Sequence, residues 1–284
     1  MSLASGTIRS PLSFGARRLR ASPAISILGL LAACVAGSPS NTAVVPIRHS
    51  DPTQFLLVPI EVNGIETTFF FDTGTASSQV SPDFAEHAGI RDGEVKLRSF
   101  HVGSIDAKRK IGPLGIADLT KCCTRYDVNV TGSLGSALWS TADYILDVQQ
   151  PKLEVLPTLR LSGSPGASPL RIADQKTYLP VTIEGQTFEF LLDTGLGGAR
   201  VTQDLINRVR PVNHDYVEIE ITTGTVKEYK KLPALHAEVK IGDVHIPQFT
   251  FFVGEENAIG LNLLQQGELS VSTREGLFTF RDRK

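Results

Sequence analysis

The chain has 284 residues, 41% hydrophobic and 20% charged, a globular composition that excludes a fibrous or disordered protein and leaves room for one large or two small domains. Net charge is −2, from 28 basic and 30 acidic residues, and becomes −6 (24 against 30) without residues 1–33. So acidic a body has no electrostatic attraction to nucleic acid, which is set aside as a partner.

Residues 1–33 read as an address. Arg9, Arg17, Arg18 and Arg20 are followed by the apolar run Ala24–Ala33, and no acidic residue precedes Asp51. A basic stretch, a short apolar run and small residues at its end form an export signal. The run is far short of the roughly 18–20 apolar residues that span a bilayer. Leu31-Ala32-Ala33-Cys34 resembles the lipobox of bacterial lipoproteins. That resemblance implies a lipidated Cys34 as first mature residue, a membrane anchor and, with Val35 rather than Asp next, an outer-membrane protein facing the periplasm. Cleavage a few residues later would instead discard Cys34. Residues 34–54 read as a tether. The adjacent Cys122 and Cys123 bridge only with backbone distortion, and no third Cys or His stands beside them at metal-ligand spacing.

The remainder is one unit written twice. Residues 59–83 align without a gap on residues 180–204, at an offset of 121, with Pro59/Pro180, Gly64/Gly185, Phe69/Phe190, Asp72/Asp193, Thr73/Thr194, Gly74/Gly195, Val80/Val201 and Asp83/Asp204 identical. The same offset carries Gly103 onto Gly224, and after a four-residue slip Ser133-Leu134-Gly135 answers Ala258-Ile259-Gly260.

Each copy reads as β. Val58–Val62 and Leu179–Ile183 alternate apolar residues, then turn at Asn63-Gly64 and Glu184-Gly185. Short apolar strands follow, Phe69–Phe71 and Phe190–Leu192, and run straight into Asp-Thr-Gly. Val217–Ile221 and Thr225–Tyr229 form a hairpin about Thr223-Gly224, with a weaker equivalent about Gly103. Ser81 and Thr202 can cap short helices, and helices are also expected after Gly135 and Gly260. Residues 158–176, rich in Ser, Gly and Pro, read as a linker between a first half at 55–157 and a second at 177–284.

A single Asp-Thr-Gly is a weak motif, because Asp and Gly favour turns. Two in register, each at the end of an apolar strand and each followed some 60 residues later by Leu134-Gly135 or Ile259-Gly260, resemble the aspartic proteases of the retropepsin-like branch. Ile259-Gly260-Leu261-Asn262-Leu263-Leu264 is close to a segment of retroviral proteases. The resemblance covers about 200 of the 284 residues. It implies an all-β fold with short helices: two retropepsin-like acid-protease β-barrel halves in an intramolecular pseudo-dimer, acting as a monomer. Pairing of halves between two chains stays open at this point.

It also implies an aspartic endopeptidase with Asp72 and Asp193 as the catalytic pair, needing neither metal nor cofactor, and a peptide or protein as substrate. Thr73 and Thr194 would cross-link the two loops, Gly74 and Gly195 would allow close backbone approach, and hairpins tipped at Gly103 and Gly224 would be flaps. Two carboxylates about 3 Å apart cannot both ionise; this pair is a standard worked example of that rule. In the family a Ser or Thr in the place of Thr75 can donate to the catalytic carboxylate, whereas Leu196 has no donor. Asp72 is therefore expected to be the charged partner and Asp193 the protonated one. The family's Arg after the apolar-apolar-Gly, and its acid beyond Asp-Thr-Gly, are replaced together by Leu261 and Gly197. The competing reading is a catalytically silent lipoprotein of this fold that binds a peptide or protein.

Other motifs fail. Gly195-Leu196-Gly197-Gly198 lacks the Lys and Ser/Thr of a P-loop, the six histidines show no metal-ligand spacing, and no Gly-x-Ser-x-Gly is present. Trp139 is expected in the core.

Overall fold

The computed structural model of the chain describes residues 42–50, 55–91, 97–112, 114–119, 130–209, 215–223 and 226–282. Cys34, Cys122, Cys123 and Gly224 lie outside them.

Local rules set the strands. Lys176–Ile183 buries every second residue (Thr177, Leu179, Val181, Ile183), the period of a half-buried strand. Turns at Asn63-Gly64 and Glu184-Gly185, all four residues at positive φ, reverse the chain within two residues. The returning strands, Ile65–Phe71 and Gln186–Leu192, are mixed at first and wholly buried over their last three residues. Those last residues carry the Asp-Thr-Gly loops into the centre of the molecule.

Each half folds its strands into a curled sheet. In the first half the order is Ile105–Asp106, Phe100–Val102, Leu56–Val62, Ile65–Phe71, Val130–Leu134, Gln79–Val80, Gly115–Ile116. The second half repeats the plan with Lys176–Ile183, Gln186–Leu192, Ala258–Ile259, Arg200–Val201, Val244–Val253, Val226–Ile241 and Asp215–Thr223. An extra pairing of Thr182 with Lys240 and Ile183 with Val239 closes that sheet on itself. The slipped alignment of the sequence is the register of the sheet: Phe71 lies beside Leu134 and Leu192 beside Ile259. Ser81 caps helix Pro82–His87 through the Phe84 amide (3.3 Å), and Thr202 caps Gln203–Val209 through the Leu205 amide (3.3 Å). After Gly135 comes a 3₁₀ turn, Trp139–Thr141, and after Gly260 the helix Leu261–Leu264.

A six-stranded sheet joins the halves, in the order Ala43–Pro46, Lys152–Leu156, Asp143–Asp147, Glu268–Ser272, Leu277–Arg281, Ser168–Pro169. At its centre Tyr144 faces Val271 and Leu146 faces Leu269. Tyr144 and Leu269 are repeat equivalents, as are Leu146 and Val271, so the seam is self-complementary like a twofold dimer interface. Trp139 is buried beside it, edge-on to both Phe71 (5.0 Å) and Tyr144 (5.9 Å).

Two segments read as connectors are woven into this frame. The expected tether supplies Ala43–Pro46, an outer strand of the joining sheet, and Arg48–His49, paired with Leu56–Leu57. The expected linker supplies Ser168–Pro169 and Arg171–Ala173. It is pinned by amides of Leu161 and Ser162 donating to Glu275 (2.6 and 2.9 Å), and by Leu159 N donating to Asp143 (2.8 Å).

Candidate active site

The two Asp-Thr-Gly loops meet between the halves and interlock. Thr73 Oγ1 donates to the Leu192 carbonyl (2.8 Å) and accepts from the Thr194 amide (3.1 Å); Thr194 Oγ1 donates to the Phe71 carbonyl (2.8 Å) and accepts from the Thr73 amide (3.1 Å). Both threonines are buried, at 2% and 0% exposure, so these four bonds satisfy groups that water does not reach.

Behind the loops, the Asp72 amide donates to the Leu134 carbonyl (3.0 Å) and the Asp193 amide to the Ile259 carbonyl (3.1 Å). Gly135 and Gly260 stand where the chain crosses itself. A Cβ on Gly135 would lie 2.6 Å from the Ser77 backbone, and one on Gly260 2.6 Å from the Gly198 backbone. Ser78 fixes the first crossing through the Gly135 amide (3.0 Å), and Asn262 fixes the second through the Ala199 amide (2.7 Å). The repeat pattern does not mark Ser78, and Asn262 is signalled only as part of Ile259–Leu264, the segment similar to retroviral proteases.

Glycine follows each Asp-Thr because the opposite carboxylate occupies the space of a side chain. A Cβ on Gly74 would collide with the Asp193 carboxylate, and one on Gly195 would lie 2.7 Å from Asp72 Oδ1 and 3.1 Å from Asp193 Oδ1. Both carboxylates therefore bound one small volume.

Their environments differ. Asp72 Oδ1 accepts from the amides of Gly74 (2.9 Å) and Thr75 (3.2 Å). Thr75 Oγ1 donates to the Asp72 carbonyl at 3.5 Å and is also close enough to the carboxylate to favour its ionised form. Asp193 Oδ1 accepts only the Gly195 amide (2.8 Å) among the described residues. Burial raises both carboxyls. For Asp72 the Gly74 and Thr75 donors, then Lys176, oppose that rise. Asp193 is pushed up to about 7 by burial first and the Asp72 charge second, with Glu256 adding to it. Among the described residues no group of three or more metal-ligating side chains is found.

The hairpin about Gly103 differs from the sequence expectation. Val62 pairs with Phe100 in the first half, and its equivalent Ile183 pairs with Val239 in the second. Counting on from these pairs matches Gly103 (φ +57) with Gly242 (φ +54), not with Gly224. Both turns abut the joining sheet: Gly103 lies against Val44, Val45 and Pro46 of its outer strand, and Gly242 against Phe280. The offset of 121 fails here because the halves differ in length upstream. Twelve residues (88–99) separate the first helix from Phe100, whereas 29 residues (210–238) separate the second helix from Val239. The additional chain forms the hairpin of Asp215–Thr223 with Val226–Ala234, which has no counterpart among the described residues of the first half.

No protein-family model matches the chain, and no curated protein matches it. Among solved structures, conglutin gamma, a basic 7S globulin from lupine seeds, superposes with a TM-score of 0.50 at 10% identity, over 86% of this chain and 96% of that one. Basic 7S globulin from soybean gives 0.47 at 10% identity over 85% and 95%. A retropepsin-like aspartic protease from Rickettsia conorii gives 0.31 at 16% identity, over 40% of this chain and 90% of that chain. The lupine likeness spans both halves and concerns the fold alone. With the repeated sheets and the self-complementary seam, it identifies an all-β, acid-protease type of fold: two β-barrel halves joined in one chain as a pseudo-dimer.

Proposed function

We propose that this chain is an aspartic endopeptidase, with Asp72 and Asp193 as its catalytic pair. The observation that carries the reading is the pair of interlocked Asp-Thr-Gly loops, with both carboxylates on one small volume in unequal surroundings. Pairs of carboxyls whose environments push their pKa values apart mark acid and base roles.

Asp72, with more donors, is the charged group, and Asp193 carries the proton. A water between them gives a proton to Asp72 as its oxygen attacks the peptide carbonyl carbon, while Asp193 passes its proton to the carbonyl oxygen. The tetrahedral gem-diol collapses when the C–N bond breaks: the proton on Asp72 passes to the leaving nitrogen, and one hydroxyl proton returns to Asp193 as the carbonyl re-forms. Both protons are accounted for, and no acyl-enzyme forms. The Asp215–Thr223/Val226–Ala234 hairpin serves as the flap over the bound peptide. The amino-terminal segment directs export, and Cys34 carries the lipid that holds the enzyme at the outer membrane.

The test is cleavage of a peptide library by the full chain in detergent, between about pH 3 and pH 8, beside Asp72→Asn and Asp193→Asn. Cleavage that either substitution abolishes is expected. A folded monomer that cuts nothing at any pH overturns the proposal in favour of a peptide-binding lipoprotein.

A further inference from the structure

The offset that superposes the two Asp-Thr-Gly loops also carries Phe55 onto Lys176, and each stands at the start of the first long strand of its half. Each also reaches the loop of the opposite half. The Phe55 ring lies 4.0 Å from where a side chain on Gly197 would begin, and packs edge-on against Phe70 with centroids 5.0 Å apart. Gly197 is exposed and only two residues beyond Gly195.

On the other side, a chain of hydrogen bonds leads to Asp72 from the backbone of Gln175, next to Lys176. Ser136 Oγ donates to the carbonyl of Gln175, the residue before Lys176, at 2.6 Å. The Ser136 amide donates to the Thr75 carbonyl (2.7 Å), and the Thr75 amide to Asp72 Oδ1 (3.2 Å). Lys176 is half-exposed, its charge favours ionised Asp72, and no described carboxylate forms an ion pair with it.

An extended peptide over the dyad must cross the local twofold axis that relates the halves. Residues exchanged by that axis then flank the scissile bond at equal spacing on opposite sides. In a dimer of identical chains those two positions would be alike; here one carries an aromatic ring and the other a lysine ammonium group.

We propose that Phe55 and Lys176 set the sequence preference and the direction of the bound peptide: an acidic residue held by Lys176 on one side of the scissile bond, and a large apolar residue against Phe55 at the mirror position on the other. This rests on the peptidase reading above. A cation that forms no ion pair among the described residues attracts an acidic side chain and repels a basic one, which gives selectivity more than affinity. The preference weakens with added salt, because the lysine is partly exposed.

The test is the cleavage-site profile of the full chain on a peptide library, compared with Lys176→Gln, Lys176→Glu and Phe55→Ala. Enrichment of Asp or Glu at one position and of large apolar residues at its mirror is expected from the unsubstituted chain. Lys176→Gln should lower the ratio of kcat/KM for an acidic peptide over its uncharged analogue by roughly fivefold, the scale of a partly exposed ion pair. Lys176→Glu should turn the preference at that same position towards Lys and Arg, and Phe55→Ala should remove only the apolar preference. Dyad-dependent cleavage without the acidic enrichment, or with an enrichment that Lys176→Glu leaves in place, overturns this inference and leaves the peptidase reading standing. Absence of dyad-dependent cleavage by the unsubstituted chain removes both.

Discussion

Replacing Asp193 by Asn should make the protein more stable at neutral and alkaline pH while abolishing its activity. Burial and the neighbouring Asp72 charge raise the Asp193 carboxyl from an ordinary 3.8 to about 7. Below about pH 4 the carboxyl is protonated in both folded and unfolded chains, and nothing is lost. As pH rises, the unfolded chain gives up its proton first while the folded state holds on to its own, so stability falls until the pH passes the folded value. At about 1.36 kcal/mol per pH unit, the interval corresponds to roughly 4 kcal/mol lost by pH 8, as an upper figure. Asp72 is raised as well and acts in the same direction. Asparagine is neutral throughout and keeps an oxygen to accept the Gly195 amide, so Asp193→Asn should remove most of the slope. Urea unfolding of the parent and the variant at several values between about pH 4 and pH 8 measures this. The two should agree at the acid end and diverge by several kcal/mol at the other, with the variant the more stable. Parallel curves, or a parent that gains stability with rising pH, would refute the assigned electrostatics.

Thr194→Val should cost roughly 2–6 kcal/mol in the same unfolding assay, because it leaves the buried Phe71 carbonyl and Thr73 amide without partners at about 1–3 kcal/mol each. Thr194→Ser should retain most of that stability, and a Val variant within about 0.5 kcal/mol of the parent would contradict the interlock. Thr75→Ala removes a group that favours ionised Asp72, so the acid limb of the kcat/KM profile should move to higher pH; an unmoved profile denies Thr75 that role. Gly74→Ala places a methyl group on the Asp193 carboxylate and should lower kcat by at least about a hundredfold in a chain that circular dichroism shows to be folded. Full activity in that variant would show that the carboxylates are not as close as described.

The parts of this architecture that repeat were legible in the sequence, because repetition tests itself. Asp72 and Asp193 end strands that match without a gap, and the sheet register pairs Phe71 with Leu134 as Leu192 pairs with Ile259. The Ser81 and Thr202 caps were legible because a cap is a local interaction. The joining sheet was not. Ala43–Pro46 and Ser168–Pro169 are short and contain proline, and they are strands only because Lys152–Leu156 and Leu277–Arg281 lie beside them. Gly103 was matched to Gly224 because a fixed offset cannot register the hairpin that lengthens the second half. Ser136, Lys176 and Phe55 carried one unused signal, their repeat counterparts Leu261, Phe55 and Lys176. Each differs from its counterpart in chemistry, and their bearing on the site depends on contacts between halves that no local pattern encodes.

The most direct test of two half-sites in one chain, acting together through Asp72 and Asp193, is a complementation measurement. Cleavage of a susceptible peptide would be followed for the unsubstituted chain, for Asp72→Asn and Asp193→Asn separately, and for an equimolar mixture of the two variants. Only the unsubstituted chain should cleave, at a rate proportional to its concentration. Cleavage by either variant alone would dismiss the dyad, and cleavage restored in the mixture would show that the catalytic aspartates meet between chains instead of within one.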